Sequence, residues 1–176
     1  MAEEKKEPWL NYVALTTVIF AVCATLSTFK GGQFSTRSVM SQSQASDQWA
    51  YYQAKSIKSY LYEGRKEALE IQLRTERPGS EQRAELEKRI ARYAEQIKRY
   101  EQEKAEIGAK AKALEEAREQ AQKNSGVFGL AIIFLQIAIL LSSIAAFMKK
   151  KPVWLLGMVV GAVGLVYFVN GFVMFF

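Results

Sequence analysis

The chain has 176 residues, of which 49% are hydrophobic and 24% charged, with a formal net charge of +6, no His and one Cys. One Cys excludes an intrachain disulfide and a thiolate zinc cluster, and the missing His removes the commonest general base. Mean hydropathy is nevertheless near zero, so apolar and charged residues are segregated in blocks, as a bilayer sorts a sequence and a globular core does not.

Residues 1–9 form a short charged tail that includes Lys5 and Lys6. Residues 10–29 follow without a single charge. About 20 apolar residues at 1.5 Å each cross the hydrocarbon layer, and in lipid the backbone must satisfy its own hydrogen bonds, so the segment is expected to be a transmembrane helix. A cleaved signal peptide has a shorter apolar run, about 7–15 residues. A lipidated Cys23 calls for a small residue just before it, and Val22 stands there. The segment therefore reads as an anchor. Ala14, Thr17, Ala21, Ala24 and Thr28 recur at steps of three and four, a small-residue face that lets another helix approach closely. Lys30-Gly31-Gly32 reads as a hinge after it.

Residues 30–125 are expected to form an extramembrane helical hairpin, with helices over about 36–77 and 80–123. Both are rich in good helix formers. Pro78-Gly79-Ser80 supplies a stop, a turn and a cap. From Lys30 to Gly126 there are 19 Lys/Arg against 15 Asp/Glu, closely interspersed, which argues against nucleic acid as a partner. In the second helix Leu86, Ile90, Tyr93, Ile97, Tyr100, Ile107, Ala111 and Leu114 follow heptad spacing, with Lys104 in the one interrupted slot. In the first, Ala50, Ala54, Ile57, Leu61, Gly64, Ala68 and Ile71 follow the same 4-3 steps. Two such stripes predict an antiparallel coiled-coil seam, placing Ala50 near Ile107, Gly64 near Tyr93 and Ala68 near Ile90. On this register Gly64 makes room for the Tyr93 ring, and Gly64→Leu should overpack the hairpin. Pairs one turn apart, Glu70/Arg74, Glu85/Arg89, Glu95/Arg99 and Glu106/Lys110, are expected to support the outer faces.

Trp49, Tyr52 and Tyr60 fall outside this seam. Left bare, they form an aromatic surface suited to another copy or a partner protein. A wide seam that covers the rings is the alternative, and a ligand site made of Asp47, Gln48, Trp49, Tyr52 and Lys55 is a third reading.

Residues 126–148 form a second charge-free segment, residues 149–152 a short basic loop, and residues 153–176 a third apolar segment. The positive-inside rule places Lys149-Lys150-Lys151 in the cytoplasm. The N-terminus is then cytoplasmic, and the hairpin and C-terminus extracytoplasmic. None of the three segments contains Asp, Glu, Lys, Arg or His, the residues that mark transporters and proton relays. Gln136 and Asn170 are their strongly polar interior residues and are expected to hydrogen-bond a neighbouring helix. Gly157 and Gly161, with Gly164 a turn on, offer a close-packing surface. The fold class expected is thus all-α: an integral membrane protein with three transmembrane helices and a long antiparallel hairpin between the first and second.

The first apolar segment with Lys30-Gly31-Gly32, followed by Ala45-Ser46-Asp47-Gln48-Trp49 and Tyr51-Tyr52-Gln53-Ala54-Lys55-Ser56-Ile57-Lys58, resembles a bacterial membrane-protein family catalogued as a domain of unknown function, numbered four-three-three-seven. The resemblance covers essentially the whole chain. It implies a bacterial inner-membrane location and marks residues 45–58 as the family's hallmark. It brings no activity, cofactor or catalytic residue.

No nucleophile stands near a base and no glycine-rich phosphate loop is present, so catalysis is not expected. No cofactor or metal is expected either. The expected role is a structural or scaffolding membrane protein that self-associates, with lipid bilayer and further copies of the chain as its partners. An oligomeric channel, or an accessory subunit of a membrane transport complex, is the alternative.

Overall fold

The computed structural model describes residues 8–75 and 78–173. Within them the chain is all α: α1 (Trp9–Thr75), α2 (Ser80–Met148) and α3 (Lys151–Val173). Residues 1–7, residues 76–77 at the end of the first expected hairpin helix, and residues 174–176 of the third apolar segment lie outside the described residues, as does the Ser80 side chain with its expected capping role.

α1 is longer than the sequence reading divides it, passing without a break through Lys30-Gly31-Gly32, the expected hinge. α2 passes without a break through Asn124-Ser125-Gly126, a junction the sequence leaves open. Gly31 serves approach, not bending. A Cβ there would stand 3.1 Å from the Phe128 Cβ, and the Ser125 hydroxyl donates to the Gly31 carbonyl at 3.1 Å. Phe34 stacks on Phe128 beside this crossing, ring centroids 6.0 Å apart.

Among the described residues, those up to Val39 and those from Arg118 onward form one compact unit, and Met40–Ala117 form another. The first unit holds three helices that are long and apolar enough to cross a membrane. α3 runs parallel to α1 and antiparallel to α2. The Phe20 ring covers Gly161, Leu135 meets Gly164, Ala138 and Leu141 meet Gly157, and the Phe128 ring covers Gly171. Its interior is built mostly from small groups, including Ala24, Ser27, Ala131, Ala138, Ser142 and Ala145, with Trp9, Val13, Phe20, Phe128, Leu135 and Asn170 as larger members. Large apolar side chains such as Leu15, Val22, Leu140, Phe147, Leu156 and Val166 point outward. Hydroxyls on α1 are returned to its own backbone: Thr17 to Val13, Thr25 to Ala21, Ser27 to Cys23 and Thr28 to Ala24, at 2.8–2.9 Å. This satisfies them without water.

The small-residue face expected on α1 is turned by about one residue. Ala24 is buried and Thr17 half-buried, whereas Ala14, Ala21 and Thr28 are exposed. The buried row is Val13, Thr17, Phe20, Ala24 and Ser27. The reason is Phe20: its ring needs the space over Gly161, and bringing it inward carries Ala21 outward.

α2 ends in a tight C-cap. Lys149 adopts φ of 50°, and Lys150 N–H donates to the Ala145 carbonyl at 3.1 Å. This is the six-to-one bond of a Schellman turn, with Lys where Gly is usual. α3 begins at once, and Pro152 sits in its first turn, where a missing N–H costs nothing.

The second unit is an antiparallel helical hairpin. Its α2 stripe is the one expected: Tyr100, Lys104, Ile107 and Ala111 are buried, and Leu86, Ile90, Tyr93, Ile97 and Leu114 half-buried. Its α1 stripe is not. Ala50, Ala54, Ile57, Leu61, Gly64, Ala68 and Ile71 are all exposed, with Ile57 at 68% and Leu61 at 53%. The row facing α2 is Ser41, Ala45, Gln48, Tyr52, Lys55, Ser59, Tyr62, Lys66, Leu69 and Leu73, flanked by Trp49. It too keeps 4-3 steps throughout. Two rows of the same period compete for one partner, and the row beside the large rings wins because an aromatic side chain buries about 150–250 Å². Nothing lies within 4 Å of a Cβ placed on Gly64; Tyr93 packs on Tyr62 instead, at 5.6 Å. Gly64→Leu therefore has open space and does not overpack the hairpin.

Candidate functional site

The residues with most chemistry in the hairpin lie on this seam. Lys104 occupies a core position of α2 and is only 8% exposed. A buried ammonium needs a counter-charge and hydrogen bonds. Lys104 Nζ donates to Glu101 Oε1 at 2.8 Å and stands 5.6 Å from the Tyr52 ring and 5.8 Å from the Tyr60 ring. These distances fit cation–π attraction. Ser59, buried on α1, has its hydroxyl 3.1 Å from the same Glu101 oxygen and 3.2 Å from Glu63.

One turn away, Lys55 on α1 pairs with Glu103 on α2. Its ammonium lies 5.2 Å from the Tyr51 ring and 5.3 Å from the Tyr100 ring. Arg99 adds a second contact to Glu103 at 3.4 Å. Trp49 Nε1 donates to Glu115 Oε1 at 2.9 Å, and the Trp49 ring meets Tyr52 edge-on at 5.5 Å. Tyr62 stacks on Tyr100 at 5.8 Å.

The electrostatics follow from these pairs. The hydrogen bond to Glu103 holds the Lys55 ammonium above the ordinary lysine value, and the bond from Lys55 holds Glu103 below the ordinary carboxylate value. The Lys104–Glu101 bond acts the same way on its two members, with partial burial opposing it on each side. All four groups are thus charged at neutral pH and turned toward one another. The Lys55–Glu103 pair crosses between the helices and fixes their register and rotation, while Lys104–Glu101 lies within α2 and reaches α1 through the Ser59 hydroxyl.

Of the residues singled out as an interaction surface, Trp49 and Tyr52 are half-buried in the hairpin seam, and Tyr60 is 65% exposed. Within the ligand-site reading, Trp49, Tyr52 and Lys55 are engaged with α2, while Asp47 is exposed. Sequence reasoning missed Ser59, Tyr62, Glu101 and Glu103. Their signal was present: Lys55, Ser59, Tyr62 and Lys66 keep heptad steps with Tyr52, but polar residues there read as a solvated face. Among the expected helical pairs Glu85/Arg89 forms at 3.1 Å. Arg99 turns to Glu103, and Glu70 pairs with Lys66 at 2.9 Å.

In the three-helix unit Gly157, Gly161 and Gly164 are buried. Asn170 is buried and hydrogen-bonded or otherwise engaged, whereas Gln136 faces outward. At one end Trp9 and Trp154 pack at 6.3 Å, Trp154 Nε1 donates to Thr16 Oγ1 at 3.3 Å, and Lys151 lies 6.0 Å from the Trp9 ring. Among the described residues there is no group of three His, Cys, Asp or Glu able to hold a metal ion.

A family model described as Domain of unknown function (DUF4337) matches residues 9–174. No curated protein and no solved structure matches the chain.

Proposed function

The chain belongs to the family described as Domain of unknown function (DUF4337), and we propose for it a non-enzymatic, structural role as a three-span membrane protein that self-associates. The observation that carries the membrane part is the inverted packing of the three-helix unit. Small residues fill most of its interior, and in the most apolar 18-residue window of each helix only 17–28% is buried. In water so large an apolar surface is costly, whereas in lipid it is the natural exterior. The Trp9, Trp154 and Lys149–Lys151 cluster at one end supports the same reading, because Trp and Lys gather where hydrocarbon meets headgroups.

In this reading the basic loop and the N-terminus are cytoplasmic, and the hairpin and C-terminus extracytoplasmic, in a bacterial inner membrane. The hairpin is a coiled coil whose charged seam fixes how α1 and α2 face each other. Its partners are lipid and further copies of the chain; nucleic acid and cofactors have no part.

Support for self-association comes from α1. Its second heptad row, Ala50, Ala54, Ile57, Leu61, Gly64, Ala68 and Ile71, is exposed and carries three large aliphatic side chains. One helix with two seams is suited to bundles of more than two strands. Molar mass of the detergent- or nanodisc-embedded chain by light scattering tests this: oligomers are expected, and a strict monomer at all concentrations overturns it. In the alternative reading, a transport component, the oligomer surrounds a pore lined by outward-facing Gln136. Ion flux in liposomes that Gln136→Leu abolishes would mark that arrangement, and co-purification of an unrelated membrane protein would mark an accessory subunit.

A further inference from the structure

The outer face of α2 in its apolar segment carries Gly129, Ile133, Gln136, Leu140, Ser143 and Phe147, spaced 4-3-4-3-4 and turned away from α1 and α3. No atom lies within 4 Å of a Cβ built on Gly129, and the Ser143 hydroxyl is satisfied by the Ile139 carbonyl at 2.9 Å. Gln136 is exposed and has no hydrogen-bond partner among the described residues. In the segment 126–148 it stands at the middle, about 15 Å from the nearer end at 1.5 Å per residue. A Gln side chain cannot reach water from there, and an amide without a partner in hydrocarbon is costly. Asn11, an outward amide on α1, stands at the edge of its segment, within reach of headgroups.

We propose that this face of α2, centred on Gln136, is the contact between two copies of the chain, with the two Gln136 amides hydrogen-bonding each other across a two-fold axis. The inference rests on the membrane-spanning, self-associating reading above and assigns it a surface. Three features point to a second copy as the occupant. An amide carries two donors and an acceptor, so it complements itself. A two-fold interface sets each residue on the axis against its own counterpart. Two copies inserted in the same direction also hold Gln136 at the same depth, so their amides meet without any adjustment along the bilayer normal. Gly129 at one end of the row lets the two α2 backbones draw together.

The test uses the full-length chain in nanodiscs or liposomes, with Cys23→Ser as background and a single new cysteine. Gln136→Cys is expected to give disulfide-linked dimer under mild oxidation, well above Val159→Cys, a residue 67% exposed on α3. Without cross-linking, Gln136→Leu is expected to weaken dimerisation about 3- to 30-fold, the range of one interhelical hydrogen bond in a membrane, and Gln136→Asn to retain most of it. Helicity by circular dichroism shows that each variant is folded. Equal cross-linking at both cysteines, or an oligomer unmoved by Gln136→Leu, overturns the proposed surface while self-association through the hairpin stands. A wild-type chain that is strictly monomeric overturns both. Reaction of Gln136→Cys with a membrane-impermeant thiol reagent, or its cross-linking to a different protein, places water or another partner at this face and also overturns the proposal.

Discussion

Glycine at one position and glycine at another do opposite things in this chain. Gly161 lies under the Phe20 ring, whose atoms would stand 2.2–2.8 Å from an added Cβ. Phe20 is itself buried, so it has little room to yield. Gly161→Ala is expected to destabilise the three-helix unit by about 1–3 kcal/mol, the usual cost of overpacking, with partial recovery on adding Phe20→Leu. Gly64, exposed in mid-helix with no neighbour, is the contrary case. Gly64→Ala is expected to stabilise the helix by about 0.5–1 kcal/mol through lower backbone entropy in the unfolded chain. Thermal unfolding in detergent followed by circular dichroism measures both. Ser142 adds a third case. Its hydroxyl is buried without a partner among the described residues, against the backbone of α3 at Gly157. Ser142→Ala keeps the small size, removes an unsatisfied group, and is expected to raise the melting temperature.

At the scale of the helices, rotation matters more than register. Facing pairs such as Lys55 with Glu103 lie close to the register the turn at Pro78-Gly79 dictates. What α2 selects is which of two α1 rows turns toward it. Trp49→Ala removes a ring from the seam and a hydrogen-bond donor from Glu115, so it is expected to lower hairpin stability by about 1–3 kcal/mol. Ile57→Ala removes an exposed side chain and is expected to leave the stability of an isolated chain within about 0.5 kcal/mol. The reverse ranking would restore the aliphatic seam. The two Lys–Glu pairs give the hairpin a pH signature. Glu101 and Glu103 are held below the ordinary carboxylate value of 4.5. Their contribution is therefore present above it and lost as pH falls through the lowered values. Lys55 and Lys104 are held above the ordinary lysine value of 10.5. Their contribution is present below it and lost as pH rises through the raised values. Hairpin stability is thus expected to be flat near neutrality and to fall at both extremes. A midpoint that moved between pH 6 and 8 would contradict these pairings.

For the molecule as a whole, the two compact units differ in the surface they present. Met40–Ala117 exposes many charged side chains around a narrow aliphatic row, so a fragment of those residues is expected to be helical and to stay in the soluble fraction. The full chain is expected to sediment with membranes and to require detergent for extraction, since its three apolar helices turn most of their surface outward. A full chain that stays in solution without detergent would remove the basis of the proposed role.

The sequence by itself determined the helical character of the chain, the three apolar segments and the heptad period, because these depend on composition and spacing along one chain; it did not determine that the first apolar segment and the first hairpin helix are one unbroken helix. It also determined the α2 seam, where a single apolar row exists. It did not determine which row of α1 faces α2, since two rows share the same period and only side-chain volume and reach decide between them. The same holds for Gly31, which reads locally as a hinge and becomes a point of close approach only once Phe128 lies against it. Gln136 is legible in the sequence as a polar residue in an apolar segment. Whether it faces a neighbour or the outside depends on the rotation of α2, which is fixed by the packing of Phe128, Leu135 and Ala138 against the other two helices.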